Sequence, residues 1–135
     1  IGAYRWEHTD RALREQLALE DEGYSATVSS GHAALRFTNP TTGGDVMPTI
    51  RCQFHRLQAG AKTLPRRDVG SSVFQVFDGA GSVAFNGQRQ DINIGDIFVV
   101  PSWIEWTLGT ESGVDLFHFS DAPIMEKLGF NRGAV

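Results

Sequence analysis

Residues 73–100 read VFQVFDGAGSVAFNGQRQDINIGDIFVV and contain the turns and apolar runs that decide the fold. Apolar and small side chains alternate over Val73–Phe77 and Ser82–Phe85, which predicts two strands separated around Asp78-Gly79. Asn86-Gly87 is the strongest hairpin signal in the chain, because both residue types tolerate the positive φ angles of a type I′ turn. This stretch therefore predicts tightly connected antiparallel strands.

Further short β segments lie on both sides of this stretch. They are Ala34–Thr38, Thr49–Leu57, Ile92–Ile94, Ile97–Val100, which stops at Pro101, and Val114–Phe119. The residues between them are rich in Gly, Pro and Asn, as in the turn-forming run from Asn39 to Gly44. Many short strands at close spacing predict an antiparallel barrel or jelly roll.

A short helix is predicted near each terminus. Thr9-Asp10 is a candidate N-cap for a helix with Leu13 and Leu17 on one face, which Gly23 would end. Asp121-Ala122-Pro123 opens a second helix, with Gly129 just past its end. The segment Ser25–His32 has no clear period and is interpreted as a link, so residues 1–32 are expected to lead into a barrel over 33–135.

Composition limits the classes of function. The chain has 135 residues, 41% of them hydrophobic, which suffices for one domain with its own core. A net charge of -4 and scattered basic residues indicate neither nucleic-acid nor membrane binding. The single cysteine, Cys52, fits a reducing cytoplasm. Because the first residue is Ile1 and not Met, we expect the chain to begin inside a longer product.

The spacing of two turn-and-strand motifs resembles that of the cupin superfamily. Its first motif places His-x-His five residues after a glycine, then a Glu and a second glycine. Here Gly60 is followed after five residues by Arg66, then Asp68, Ser72 and Gly79. The glycines that set turns are in register, whereas the ligand positions hold other residue types.

The second cupin motif departs from its pattern in the same way. Gly95 is followed after five residues by Pro101, and Trp103 stands where the superfamily has a glycine. Trp106 occupies the fourth ligand position. The resemblance implies an all-β cupin fold, a double-stranded β-helix (jelly-roll barrel), without its metal ligands.

The residues at the degenerate metal positions argue against a metal ion there. A divalent iron, manganese or zinc site requires about three or four imidazole or carboxylate donors. Of the four residues present, only Asp68 is such a donor. Arg66 carries a fixed positive charge, which repels a cation, and Trp106 has no lone pair to offer. We therefore predict no metal and no catalytic residue at this position.

Two alternative sites stay open at the level of sequence. His55 and His118 lie on predicted strands, and with Asp68 they form a conceivable rearranged metal site. Arg66 or Arg67 could clamp a small organic acid, although pairing of one of them with Asp68 is favoured.

The remaining histidines are expected to be solvated. His8 and His32 lie outside the predicted barrel.

Longer segments identify a narrower resemblance, to the second cupin domain of gentisate 1,2-dioxygenases and of the related salicylate and 1-hydroxy-2-naphthoate dioxygenases. The segments that carry it are Phe37–Gly44 (FTNPTTGG), Met47–Ile50 (MPTI), Asp96–Trp103 (DIFVVPSW) and Asp115–Pro123 (DLFHFSDAP). Residues Tyr4–Trp6 and the helix after them resemble the segment that joins two barrels in those enzymes. The similarity covers nearly the whole chain.

This resemblance implies part of a two-barrel enzyme that cleaves an aromatic hydroxy-acid ring with oxygen and Fe(II). In the family, the iron is held by histidines of the N-terminal barrel, and those ligands have no matching positions here. The C-terminal barrel would then serve packing and oligomer assembly. The resemblance implies self-association, or packing on an N-terminal cupin domain, and a small aromatic acid as substrate of the full enzyme.

Two other readings remain. One is a free-standing cupin module that binds a small organic acid through Arg66 or Arg67 without metal. The other is a one-barrel metalloenzyme with ligands rearranged around His55 and His118.

Overall fold

Nine strands and two helices follow one another in a computed structural model that describes residues 5–21, 31–39, 41–130 and 133–134. The elements are α1 (Trp6–Asp21), β1 (His32–Arg36), β2 (Arg51–Leu57), β3 (Arg67–Asp68), β4 (Ser72–Phe85), β5 (Gln88–Asn93), β6 (Ile97–Val100), β7 (Trp106–Gly109), β8 (Val114–Ser120), α2 (Ala122–Leu128) and β9 (Gly133–Ala134). Every strand pair is antiparallel. The all-β class with a helix near each end is confirmed.

Strand β4 connects two layers of the barrel. Its first half, from Ser72, lies between β8 and β6 in the order β1-β2-β8-β4-β6. Its second half, from Ala80, lies between β5 and β7. The long strand therefore belongs to both sheets, and the side chains between the sheets form the core.

A β-bulge lets β4 turn from one sheet into the other. The register with β8 shifts between Val76 and Asp78. Gly79 follows with φ +82°, and a Cβ atom added there would overlap the carbonyl oxygen of Gly113. Only glycine combines this backbone angle with so close an approach of another backbone.

Helix α1 covers the outer face of the first sheet. Leu13 and Leu17 pack with Ala33 and Phe54, all buried. Arg56 fixes the helix by binding Asp115 on the neighbouring strand and Asp10 on the helix, each with an N–O distance of 2.8 Å. The apolar face predicted from Leu13 and Leu17 therefore packs against the sheet.

Several sequence predictions are confirmed in detail. Asn86 and Gly87 both have positive φ angles, +50° and +83°, in the turn between β4 and β5. Strand β6 spans Ile97–Val100 as predicted. Gly129 ends α2 with φ 72°, and the N–H of the next residue donates to the carbonyl of Met125.

Helix α1 begins one turn earlier than predicted. The N–H groups of His8 and Thr9 already donate to the carbonyl of Arg5, and the helix begins at Trp6. Thr9 is the fourth residue of the helix and therefore does not cap it, and its side chain is buried, with 5% exposed. The predicted stop at Gly23 and most of the predicted link over Ser25–His32 lie outside the described residues.

Several strand predictions need correction. Strand β5 spans Gln88–Asn93 and not the predicted Ile92–Ile94, and Ile94 lies in the turn after it. Val73–Phe77 and Ser82–Phe85 form one strand, because the bulge bends the chain without ending its pairing. Strand β1 begins at His32, two residues before the predicted start, and β2 begins at Arg51, two residues after it. Trp106–Gly109 forms an unpredicted strand, β7, paired with β4. Neither helix of the described chain is long and apolar enough to cross a membrane.

Gly79→Ala tests the bulge, with Gly87→Ala as its matched control. The two glycines have almost the same φ, +82° and +83°, but nothing lies within 4 Å of a Cβ at Gly87. We expect Gly87→Ala to lower the free energy of unfolding by about 1 kcal/mol and Gly79→Ala by about 3 kcal/mol or more. Urea denaturation measures both, and equal losses would contradict the role of Gly79.

Candidate functional site in the barrel interior

Three adjacent strands bring three histidines together on the inner face of the sheet. His32 lies on β1, His55 on β2 and His118 on β8. His55 lies opposite Ala34 on β1 and opposite Leu116 on β8. His32 and His118 are each two residues away from these positions, so each is a diagonal neighbour of His55. Such diagonal neighbours are within reach of ring side chains in a twisted antiparallel sheet.

The rings form a continuous hydrogen-bonded chain. His32 Nε2 is 2.9 Å from His55 Nδ1, and His55 Nε2 is 3.1 Å from His118 Nδ1. A neutral imidazole carries one N–H, so His55 donates to one neighbour and accepts from the other. The tautomers of the three rings are therefore coupled.

The chain of rings ends at His118, which lies flat against the aromatic core. Its ring is stacked on Phe74 with centroids 4.1 Å apart and an interplanar angle of 6°. Phe74 in turn stacks on Phe98 at 5.0 Å and contacts Trp106 at 5.3 Å. Within the described residues, His118 Nε2 is the buried side-chain nitrogen that has no hydrogen-bond partner. Of the ring nitrogens in these three histidines, it is the one that is buried without a hydrogen-bond partner.

Burial keeps the three imidazoles neutral. It lowers the pKa of His32 to about 4, with a smaller contribution from the positive charge of Arg66. Burial also lowers the pKa of His118 to about 4, while Asp68 raises it and Arg66 lowers it further. The pKa of His55 lies well below its ordinary value, because of burial and then because of its two histidine neighbours. The buried environment therefore disfavours the protonated, positively charged form of each imidazole.

Arg66, Asp68 and Trp106 lie together near the end of this chain of rings. Arg66 Nε and Nη2 donate to the two carboxylate oxygens of Asp68 at 2.8 and 2.7 Å. The backbones of Arg66 and Trp106 exchange hydrogen bonds of 3.2 and 3.0 Å. The guanidinium edge that would hold a bidentate acid is thus occupied by Asp68.

The remaining predicted site residues are Ser72 and Arg67. Ser72 is half-buried at the start of β4, opposite Val100 and Ser120. Arg67 is exposed and its guanidinium is 3.8 Å from Glu105, a weak ion pair. Ser72 therefore shares the inner face with Phe74 and is two residues out of register with His118, whereas Arg67 lies outside the group.

The residue types present do not fit an iron or zinc ion. The two ring nitrogens of His55 bond to different partners on opposite edges of the ring, so the three histidines do not converge on one point. Both oxygens of Asp68 face Arg66, whose charge repels a cation. In the described part of the chain, no group of three or more His, Cys, Asp and Glu is placed to hold a metal.

The expectation that His32 is solvated was wrong. His32 is 8% exposed and hydrogen-bonded, because β1 begins with it and turns its side chain inward. The alternation of His32, Ala34 and Arg36 with the apolar Ala33, Leu35 and Phe37 indicates a strand that begins at His32, but it places His32 on the polar face, so no local pattern predicts its burial. His8 is exposed on α1.

Trp103 has a backbone conformation that glycine adopts far more readily. Its φ of +61° lies in the left-handed region, which a bulky residue rarely adopts. Its N–H donates to the carbonyl of Asp68 at 2.7 Å, which fixes the turn after Pro101. Trp103 therefore forms a left-handed turn directly after Pro101-Ser102.

No protein-family model matches the chain. A curated gentisate 1,2-dioxygenase from a Streptomyces species is 50% identical over 132 residues, which cover 98% of this chain and 37% of that protein. The salicylate 1,2-dioxygenase from Pseudoaminobacter salicylatoxidans, solved as an adduct with gentisate, is similar with a TM-score of 0.96 and 66% identity. That match covers 99% of this chain and 37% of the longer one.

A more distant structure supports the fold alone. A cupin superfamily protein from Desulfitobacterium hafniense DCB-2 is similar with a TM-score of 0.58 at 10% identity, over 70% of this chain and 80% of that one. The predicted cupin fold is confirmed. This chain spans about a third of the length of the first curated relatives it matches.

The three neutral histidines predict a loss of stability on mild acidification. Their folded pKa values lie below the ordinary value of 6.5, so the unfolded chain binds more protons as the pH falls from 6.5 towards about 4. The free energy of unfolding should therefore fall over this range. Between pH 5 and 6.5, His118→Phe should reduce the proton uptake on unfolding by about one.

Denaturant titrations at a series of pH values measure this slope. His8→Gln is the matched control, because His8 is exposed on α1 and contacts none of the three rings. The same slope in His118→Phe as in the native chain would contradict the assignment.

Proposed function

We propose that this chain belongs to the gentisate 1,2-dioxygenase family and serves there as a metal-free structural cupin domain. It would be the C-terminal barrel of a longer ring-cleaving enzyme, with residues 1–32 leading into a barrel over 33–135. The coverage of about a third of each relative supports this arrangement. Cytoplasmic location is part of the proposal and is supported by the single free cysteine, Cys52.

The replacement of the ligand positions is the observation that carries this proposal. Arg66 and Trp106 stand where imidazoles would be needed, and Asp68 is neutralised by Arg66. Bidentate chelation of an aromatic hydroxy acid by iron needs an open metal site with several fixed donors. In the full enzyme, Fe(II) and the small aromatic acid would therefore bind in the N-terminal barrel.

The filling of the barrel interior also supports a structural role. Phe74 is 2% exposed, and Phe98, Phe85 and Trp106 pack against the same cluster. A ligand-binding barrel keeps a cavity bounded by a few polar groups, whereas this interior is packed with aromatic rings. The proposed role of the domain is therefore to provide a stable body against which an N-terminal cupin domain or another subunit packs.

Iron analysis of the purified chain tests the absence of a metal site. After incubation with ferrous iron and removal of the excess, we expect far less than one iron per chain, both in the native chain and in Trp106→His. A single imidazole beside Arg66 lacks the further donors that iron requires. Trp103→His is the matched control for adventitious binding, because Trp103 is 46% exposed on the surface.

Near-equimolar iron in Trp106→His, but not in Trp103→His, would show that the site is largely intact and would overturn the proposal. The two-domain protein should bind iron in the same assay, which shows that the assay detects a family site.

A further inference from the structure

The two edges of the first sheet are treated differently by the fold. At the β1 edge, Gln16 of α1 donates its side-chain amide to the carbonyl of Ala34 at 2.8 Å and accepts the N–H of Ala34 at 3.2 Å. The side chain thus imitates a neighbouring strand and blocks this edge. The opposite edge is β6.

The outer backbone groups of β6 belong to Ile97 and Val99. The N–H of Val76 donates to the carbonyl of Asp96 at 2.9 Å, which identifies this pair as hydrogen-bonded. Because hydrogen-bonded pairs alternate, Phe98 and Val100 bond to β4, whereas the N–H and C=O groups of Ile97 and Val99 point away from it. Among the described residues, none bonds to these groups.

The side chains at this edge are apolar and exposed. Ile97 is 65% exposed and Val99 53%, on the outer face of the sheet. Val99 lies opposite Val73, and Val73 lies opposite Phe119, which is 39% exposed. An open backbone edge therefore borders a row of exposed apolar side chains, which is a template for strand pairing.

We propose that β6 pairs with β6 of a second copy of this chain in a two-fold antiparallel arrangement. This assignment rests on the structural role proposed above and names the surface and the partner. With Phe98 on the two-fold axis, Ile97 lies opposite Val99 of the second copy, and Val99 lies opposite Ile97 of the second copy. Both pairs then exchange N–H···O bonds in both directions.

A second copy satisfies this edge because the edge is self-complementary. In this register, residues opposite each other point to the same face, so Ile97 and Val99 extend the apolar row into the second copy. Asp96 lies opposite Val100, which keeps the two Asp96 carboxylates from facing each other. Pro101 has no N–H and limits the pairing to the Ile97–Val99 segment.

Light scattering over a concentration series tests the pairing. We expect the native chain to reach twice the monomer mass of 14.8 kDa. Ile97→Lys and Val99→Pro should weaken association at least about tenfold, because one buries a charge at the edge and the other removes a donor. The Val99 N–H makes no bond to β4, so proline there leaves the ladder intact.

Ile94→Lys is the matched control, because Ile94 is also 65% exposed but lies in the turn after β5. It should remain dimeric. As a second readout, exchange of the Ile97 and Val99 amide protons should slow as the native chain is concentrated, and should not slow in Ile97→Lys. Circular dichroism verifies that each variant is folded.

A monomeric native chain at all concentrations, or unchanged association in Ile97→Lys and Val99→Pro, would overturn this pairing. Neither result affects the proposed function, which depends on iron content. Conversely, a dimer that binds one iron per chain would overturn the proposed function and retain the pairing.

Discussion

The architecture depends on the passage of β4 from one sheet to the other. This strand pairs with β6 before the bulge, with β5 and β7 after it and with β8 on both sides of it, so four neighbours take their register from one backbone. The passage is possible because Gly79 adopts φ +82° directly against the carbonyl of Gly113. A side chain at this point would separate β4 from β8, and the packing between the sheets would be lost with it.

Two arginines of β2 connect the sheet to the two helices. Arg56 binds Asp115 and Asp10 beneath α1, and Arg51, 8% exposed, donates to both Asp45 and Glu126 near α2. A buried guanidinium is tolerated only where several carboxylate oxygens accept from it. Because the two arginines lie near opposite ends of one strand, β2 fixes both helices relative to the barrel.

Local patterns in the sequence predicted the features that local chemistry controls. Asn86-Gly87, the turn at Gly95 and the end of β6 at Pro101 were found because each depends on the φ preferences of one or two residues. The continuity of β4 was missed because its bulge depends on Gly113, which is distant in the chain. The contact of His32 with His55 was missed for the same reason: a diagonal pair between strands leaves no local period.

Contacts between side chains on the inner face join neighbouring strands of the barrel without a metal ion. Here, hydrogen bonds between His32, His55 and His118 join β1, β2 and β8, and the stack of His118 on Phe74 joins β8 to β4. Neutral imidazoles suit this role because they both donate and accept without introducing a buried charge. These interior contacts hold the barrel together without a charged group in its core, and in the described part of the chain the outer surface and the open β6 edge are left to contact other chains.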